Sequence, residues 1–61
     1  MNNAEEQLKA MEAQMRLISH YRASLVNAIR RDPENAKAVA LILMKSASKL
    51  EGMSLDIIDA V

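Results

Sequence analysis

The chain has 61 residues, a formal net charge of zero and a hydrophobic content of 51%, with no cysteine, one histidine and one aromatic residue, Tyr21. The lack of cysteine excludes disulfides and thiolate metal sites, and a single histidine offers no zinc-ligand spacing. Balanced charge and the shortage of aromatic side chains argue against a nucleic-acid binder. We therefore expect neither cofactor nor metal.

The same composition bears on membranes. No apolar run approaches the roughly 20 residues of a membrane span. The polar, acidic start is unlike a signal peptide. We expect a cytoplasmic protein with no membrane contact.

The first half of the chain predicts a long amphipathic helix over about residues 4–31, with Asn3 as its cap. Apolar side chains recur there at alternating spacings of three and four, which is the pattern of a coiled-coil seam. This predicted seam consists of Leu8, Met11, Met15, Ile18, Arg22, Leu25 and Ile29. Arg22 is its one charged member and a candidate specificity residue. Either its stem packs while its guanidinium reaches solvent, or a carboxylate of another chain satisfies a buried charge.

Asp32-Pro33 lies at the middle of the chain and predicts the only break. Asp32 suits the N-cap and Pro33 the first position of a second helix, and proline disfavours helical geometry at the residue before it. We predict a turn at residue 32 and a second helix over about 33–60. A turn this short makes the helices antiparallel neighbours. The alternative is one kinked helix that exchanges partners between chains.

The second helix repeats the seam pattern and adds a wider apolar surface. Its predicted seam consists of Ala36, Ala40, Leu43, Ala47, Leu50, Ser54, Ile57 and Val61. Small residues seven apart within it allow close approach of two backbones. The phase of Met53 and Ile57 predicts that the helix continues through Gly52. Residues 39–44 are apolar nearly all round, and a single opposing helix cannot cover so wide a sector.

The predicted fold is therefore all-α: an antiparallel two-helix hairpin that assembles into a four-helix bundle, as a homodimer or in a complex with another helical protein. Acidic residues gather at the open end and basic residues toward the turn, which favours an antiparallel homodimer. The predicted partner-binding residues are apolar: Leu25, Ile29, Val39, Leu43, Met44, Leu50 and Ile57.

The predicted function is a non-enzymatic protein–protein interaction module, such as a small chaperone, adaptor or inhibitor. Ser19 and His20 are adjacent and project about 100° apart on a helix, with no aspartate placed to orient the imidazole, so no catalytic site is expected. Two alternatives stay open. One is a small RNA-binding four-helix bundle that uses the row Lys37, Lys45 and Lys49, and the other is a phage-type antiactivator of a host protein.

The chain resembles the small helical-hairpin co-chaperones of type III secretion needle subunits. The resemblance lies in an acidic, glutamine-containing start, Glu5-Glu6-Gln7-Leu8, and in a polar mid-chain turn over residues 32–37. It continues in a second helix that closes on Leu50-Glu51 and Ile57-Ile58. It implies a protein without enzymatic activity that pairs with a larger helical-repeat chaperone and keeps a filament subunit soluble before export. Only the apolar stripe residues carry over.

Overall fold

The computed structural model describes residues 3–61, which form two α-helices. α1 spans Asn3–Arg31 and α2 spans Pro33–Ala60. The predicted all-α hairpin is confirmed, because the two helices pack against each other along their lengths. The Cα atoms fill a rod of 47 × 14 × 9 Å. Asn3, predicted as the cap of the first helix, is the first residue of α1.

A single residue, Asp32, connects the helices. Its backbone leaves the helical region, at φ −151° and ψ 77°, and its carboxylate accepts a hydrogen bond from the Asn35 amide at 3.3 Å. The Asp32 amide donates to the Ala28 carbonyl at 2.8 Å, which satisfies a carbonyl at the end of α1. Pro33 needs no amide partner at the first position of α2. The chain therefore reverses within one residue.

The interface between α1 and α2 consists of one row of buried or half-buried side chains on each helix, at alternating spacings of three and four. On α1 the row is Ala4, Gln7, Met11, Gln14, Ile18, Tyr21, Leu25 and Ala28. On α2 it is Ala36, Val39, Leu43, Ser46, Leu50, Met53 and Ile57. Of the described residues, only Gln14, Ala28 and Ala36 are buried. The large side chains of the interface all keep some contact with solvent.

This interface differs in phase from the predicted seams. On α1, three of the seven seam residues lie in the interface, whereas Leu8, Met15, Arg22 and Ile29 are exposed. The interface row instead includes Gln14, which is 7% exposed and donates from Nε2 to the Ser46 carbonyl at 2.9 Å. A pattern built on apolar residues excludes glutamine from a seam. A paired amide can nevertheless be buried, so a row that contains one can form an interface.

α2 runs without interruption through Gly52, as its neighbours' phase predicts. Gly52 is exposed, and a Cβ atom added there meets nothing within 4 Å. Two residues later, the Ser54 hydroxyl donates to the Leu50 carbonyl at 3.2 Å, a local bond within the helix. Glycine at position 52 therefore serves no packing need in the hairpin.

Gly52→Ala should raise the free energy of unfolding by about 0.5–1 kcal/mol, because alanine has less backbone freedom to lose in a helix. The measurement is chemical denaturation followed by circular dichroism at one fixed protein concentration. Lys9→Ala, at an exposed position of α1, is the control and should change stability less. Destabilisation by Gly52→Ala would show that α2 needs a flexible point at this residue.

Gln7 and Gln14 should respond in opposite directions to replacement by methionine. Gln7 Oε1 is buried and has no hydrogen-bond partner among residues 3–61. Gln7→Met removes this cost and should stabilise the hairpin by about 1 kcal/mol. Gln14→Met loses the bond to Ser46 and should destabilise it by about 0.5–1.5 kcal/mol. Equal effects in denaturation experiments would contradict the pairing difference between the two glutamines.

Candidate protein-interaction surface

The hairpin has two broad faces, one on each side of the plane that contains both helix axes. The helices are antiparallel. Residues at the same angle from the interface row, measured in the same sense about each helix axis, therefore lie on the same face of the hairpin. The structure bears this out on one face, where Leu17 of α1 and Ile42 of α2 line the same groove. The opposite face carries the residues that follow the interface rows in the other rotational sense.

The first face holds a shallow groove of about 250 Å³. Its lining residues are Gln14, Leu17, Ile42, Lys45, Ser46 and Lys49. The predicted lysine row is not assembled here, because Lys37 is turned away from Lys49 by about 120° around α2. Two lysines beside two aliphatic side chains make a mixed surface, without the continuous basic stripe that a nucleic-acid backbone requires.

The second face, called the apolar face below, carries large exposed aliphatic side chains. Its apolar residues are Leu8, Met15, Val26 and Ile29 of α1, with Ala40, Met44, Ala47 and Ile58 of α2. Met44 is 62% exposed and Ile58 is 65% exposed. Residues spaced at multiples of seven, such as Leu8, Met15 and Ile29, form a row along the face from end to end.

The structure divides the predicted partner-binding residues into two groups. Five of them lie half-buried in the interface between α1 and α2: Leu25, Val39, Leu43, Leu50 and Ile57. Ile29 and Met44 lie exposed on the apolar face. The prediction left out Leu8, Met15 and Ile58, which belong to the same face. Their spacing from Ile29 or Met44, in each case a multiple of seven residues, is the signal that identifies them.

Arg22 is exposed on the apolar face between Met15 and Ile29. Among residues 3–61, no carboxylate lies within 4 Å of its guanidinium. Arg22 therefore stands as a charge in an apolar row, with its hydrogen-bond donors free to meet a group from outside the described hairpin.

Chemistry-bearing side chains are scattered over the described part of the chain. His20 is exposed, and its nearest ring neighbour is Tyr21, with centroids 6.0 Å apart and planes tilted by 56°. Residues 3–61 contain no group of three or more histidine, aspartate or glutamate side chains arranged to hold a metal ion. Within the same residues, neither helix has the length and apolar character needed to cross a bilayer.

The exposed area of the hairpin is large for its mass. A folded monomer of 6.8 kDa exposes about 4,000 Å². This chain exposes 4869 Å², roughly 900 Å² more. An elongated rod of two helices cannot enclose all of its apolar side chains. Most of the large apolar side chains that remain in solvent lie on the apolar face.

Comparisons with models of protein families, with curated proteins and with solved structures find no match to this chain. The residues of the apolar face, their exposure and their charges are therefore the basis on which a function is argued.

Proposed function

We propose that this chain is a non-enzymatic protein–protein interaction module that completes a four-helix bundle by burying its apolar face against the helices of a partner. The observation that carries the proposal is the exposure of large aliphatic side chains, Ile29, Met44 and Ile58, along one face. Contiguous apolar surface of this kind marks interaction sites in proteins that are otherwise well folded.

The shape of the face suits helices as partners. It extends over the 47 Å length of the rod, which corresponds to about 30 residues of an α-helix. Ala40 and Ala47 lie beside the interface, and their side chains are smaller than those of their neighbours on the face. A partner helix can approach the backbone of α2 at these positions, while Met15 and Met44 adapt to its side chains.

The mechanism is occlusion. The apolar face covers an amphipathic helix of the partner that would otherwise associate with other chains, or competes with the natural ligand of that helix. A small chaperone, an adaptor and an inhibitor all work in this way. The resemblance to secretion co-chaperones favours the chaperone role, in which the partner is another helical protein. A second copy of the chain is the other candidate partner.

RNA binding is the competing function, and its support is limited to Lys45 and Lys49 beside the groove. The two functions separate in a titration of RNA binding against salt concentration. Binding that weakens steeply with salt would support an RNA partner. We expect no detectable binding, because the formal charges of the whole chain cancel.

Charged substitutions on the two faces should have unequal effects on complex formation. Met44→Glu with Ile58→Glu should abolish association with the partner, because two carboxylates would be buried against apolar side chains. Leu17→Glu with Ile42→Glu, on the groove face, is the matched control and should leave association intact. The measurement is the mass of the native complex by light scattering after gentle purification from the natural host.

Both double variants should keep the circular dichroism of the hairpin, since all four side chains are exposed. Two results would contradict the proposal. One is equal loss of association in both variants. The other is a wild-type chain that stays a single, unaccompanied, cooperatively melting copy at every concentration.

A further inference from the structure

We infer that the partner on the apolar face is a second copy of this chain, docked antiparallel, with Arg22 of each copy paired with Glu12 of the other. This inference rests on the proposed function and names its partner. Four observations carry it: the direction of the seams, the exposed area, the distribution of charge on the apolar face and the register of that charge.

The direction of the seams indicates a bundle of two hairpins. In a square four-helix bundle, each helix has two neighbours, and its core-facing side points between them. The predicted seam of α1 alternates between interface residues such as Ile18 and apolar-face residues such as Met15. On α2, Leu43 and Ala47 alternate in the same way. Both seams therefore point between the partner helix of the hairpin and the apolar face, which is the direction of a bundle core.

The exposed area matches what one copy contributes to a dimer. The hairpin exposes roughly 900 Å² more than a folded monomer of its mass. A standard interface buries about 800 Å² on each partner. The Cα outline of the apolar face, 47 by 14 Å, encloses about 660 Å² before side chains are added. One face-to-face contact between two hairpins is therefore of the required size.

The charges on the apolar face are sorted by end. Glu5, Glu12 and Glu51 lie in the half near the open end, and Arg22 and Lys37 lie in the half near the turn. All five side chains are exposed. No ion pair within 4 Å joins these cations to any carboxylate among residues 3–61. Two such faces are complementary when one hairpin is reversed end for end relative to the other.

The register of Arg22 and Glu12 fits full overlap of two reversed hairpins. A two-fold axis across the middle of the face places α1 over α1 of the second copy and α2 over α2. Arg22 and Glu12 lie five residues on either side of Leu17, the middle of α1, so they meet at the same level. Lys37 and Glu51 are centred on Met44, about three residues from the level of Leu17, so the same axis does not bring this second pair level.

The one-residue turn at Asp32 places residues at equal distances from it on the same level, so Leu17, fifteen residues before the turn, is level with Ala47. The axis that pairs Arg22 with Glu12 therefore passes close to Ala47, near the middle of α2.

The other possible arrangement, called end-matched because the open ends of the two hairpins lie together, brings like charges together. With the open ends side by side, α1 lies over α2 of the second copy. Glu12 then comes within about one residue of the level of Glu51, as the turn at Asp32 requires. Like charges across an interface oppose association, whereas the reversed arrangement makes two Arg22–Glu12 pairs per dimer. Glu12 therefore discriminates between the two orientations.

The first test is the effect of charge reversal on the dimer, measured by sedimentation equilibrium of the purified chain over about a hundredfold range of concentration. The wild type should sediment at twice the chain mass. Arg22→Glu and Glu12→Arg should each weaken the dimer about tenfold, since each turns two attractive pairs into repulsive ones. The double variant R22E/E12R should return to wild-type affinity. End-matched dimers predict the opposite for Glu12→Arg, which would associate more tightly because residue 12 then faces Glu51.

The second test is disulfide cross-linking, which is clean because the chain has no cysteine of its own. Leu8→Cys and Val26→Cys lie nine residues on either side of Leu17. Within one hairpin these positions are about 27 Å apart, far beyond the roughly 7 Å that a disulfide spans between Cα atoms. A mixture of the two single variants should oxidise to the mixed dimer. Leu8→Cys mixed with Ile42→Cys, on the groove face, should not.

The outcomes separate this inference from the proposed function. A purified chain that is monomeric, yet binds another polypeptide through the apolar face, overturns the dimer and leaves the interaction module standing. A dimer that is insensitive to Met44→Glu with Ile58→Glu overturns both. A dimer that the double charge reversal fails to restore, or that gives no mixed disulfide, overturns the antiparallel register.

Discussion

The constraint on which this structure depends is the width of its apolar arc, which exceeds what one neighbouring helix can cover. Each helix has one row of side chains that the hairpin interface half buries and a second row on the apolar face that stays in water. Both rows contain large aliphatic side chains, such as Leu43 and Ile57 in the interface and Ile29 and Ile58 on the apolar face. The second row is the surface that the proposed partner would cover.

The observed phase of the interface includes a hydrogen bond from Gln14 to the Ser46 carbonyl. A helical carbonyl already accepts a bond within its own helix and keeps a second lone pair, so the amide adds a bond without breaking one. The alternative phase would place Leu8, Met15 and Ile29 between the helices and leave the glutamines in water. The observed phase keeps those aliphatic side chains outside, available to a second surface. The one-residue turn at Asp32 sets which residues of α1 and α2 are level with each other.

Much of the fold follows from local sequence, whereas the phase of its packing does not. The reversal at Asp32 follows from a capping carboxylate and a proline that cannot continue the preceding helix. The continuity of α2 through Gly52 follows from the phase of Met53 and Ile57. The division of the seam into interface and apolar face was not predictable in this way, because it depends on contacts between side chains far apart in the sequence, such as Gln14 and Ser46.

The same reason explains the candidate surface. Of the predicted partner-binding residues, Ile29 and Met44 lie on the apolar face, while Leu25 and Leu50 lie between the helices. A pattern of apolar residues reports the average direction of burial on each helix. When a helix has two neighbours at right angles, that average points between them and belongs to neither contact. A single sequence therefore identifies the arc, and the first helix contact must be known before the second surface can be separated from it.

In the proposed dimer, charge on the apolar face has more effect on orientation than on affinity. Each exposed ion pair contributes little stability, since solvent screens it and long side chains lose entropy when they are held. Apolar contact supplies most of the energy and is nearly indifferent to the direction in which a second rod lies along the first. The difference between opposite and like charges at the same positions is therefore what distinguishes one direction from the other. Arg22 interrupts an apolar row of α1, and Glu12 lies at the same distance from Leu17 in the opposite direction along the helix. Leucine at position 22 would make the face more apolar but would remove a charge that favours one orientation of the second copy. This is a physical reason for an arginine among Met15, Val26 and Ile29.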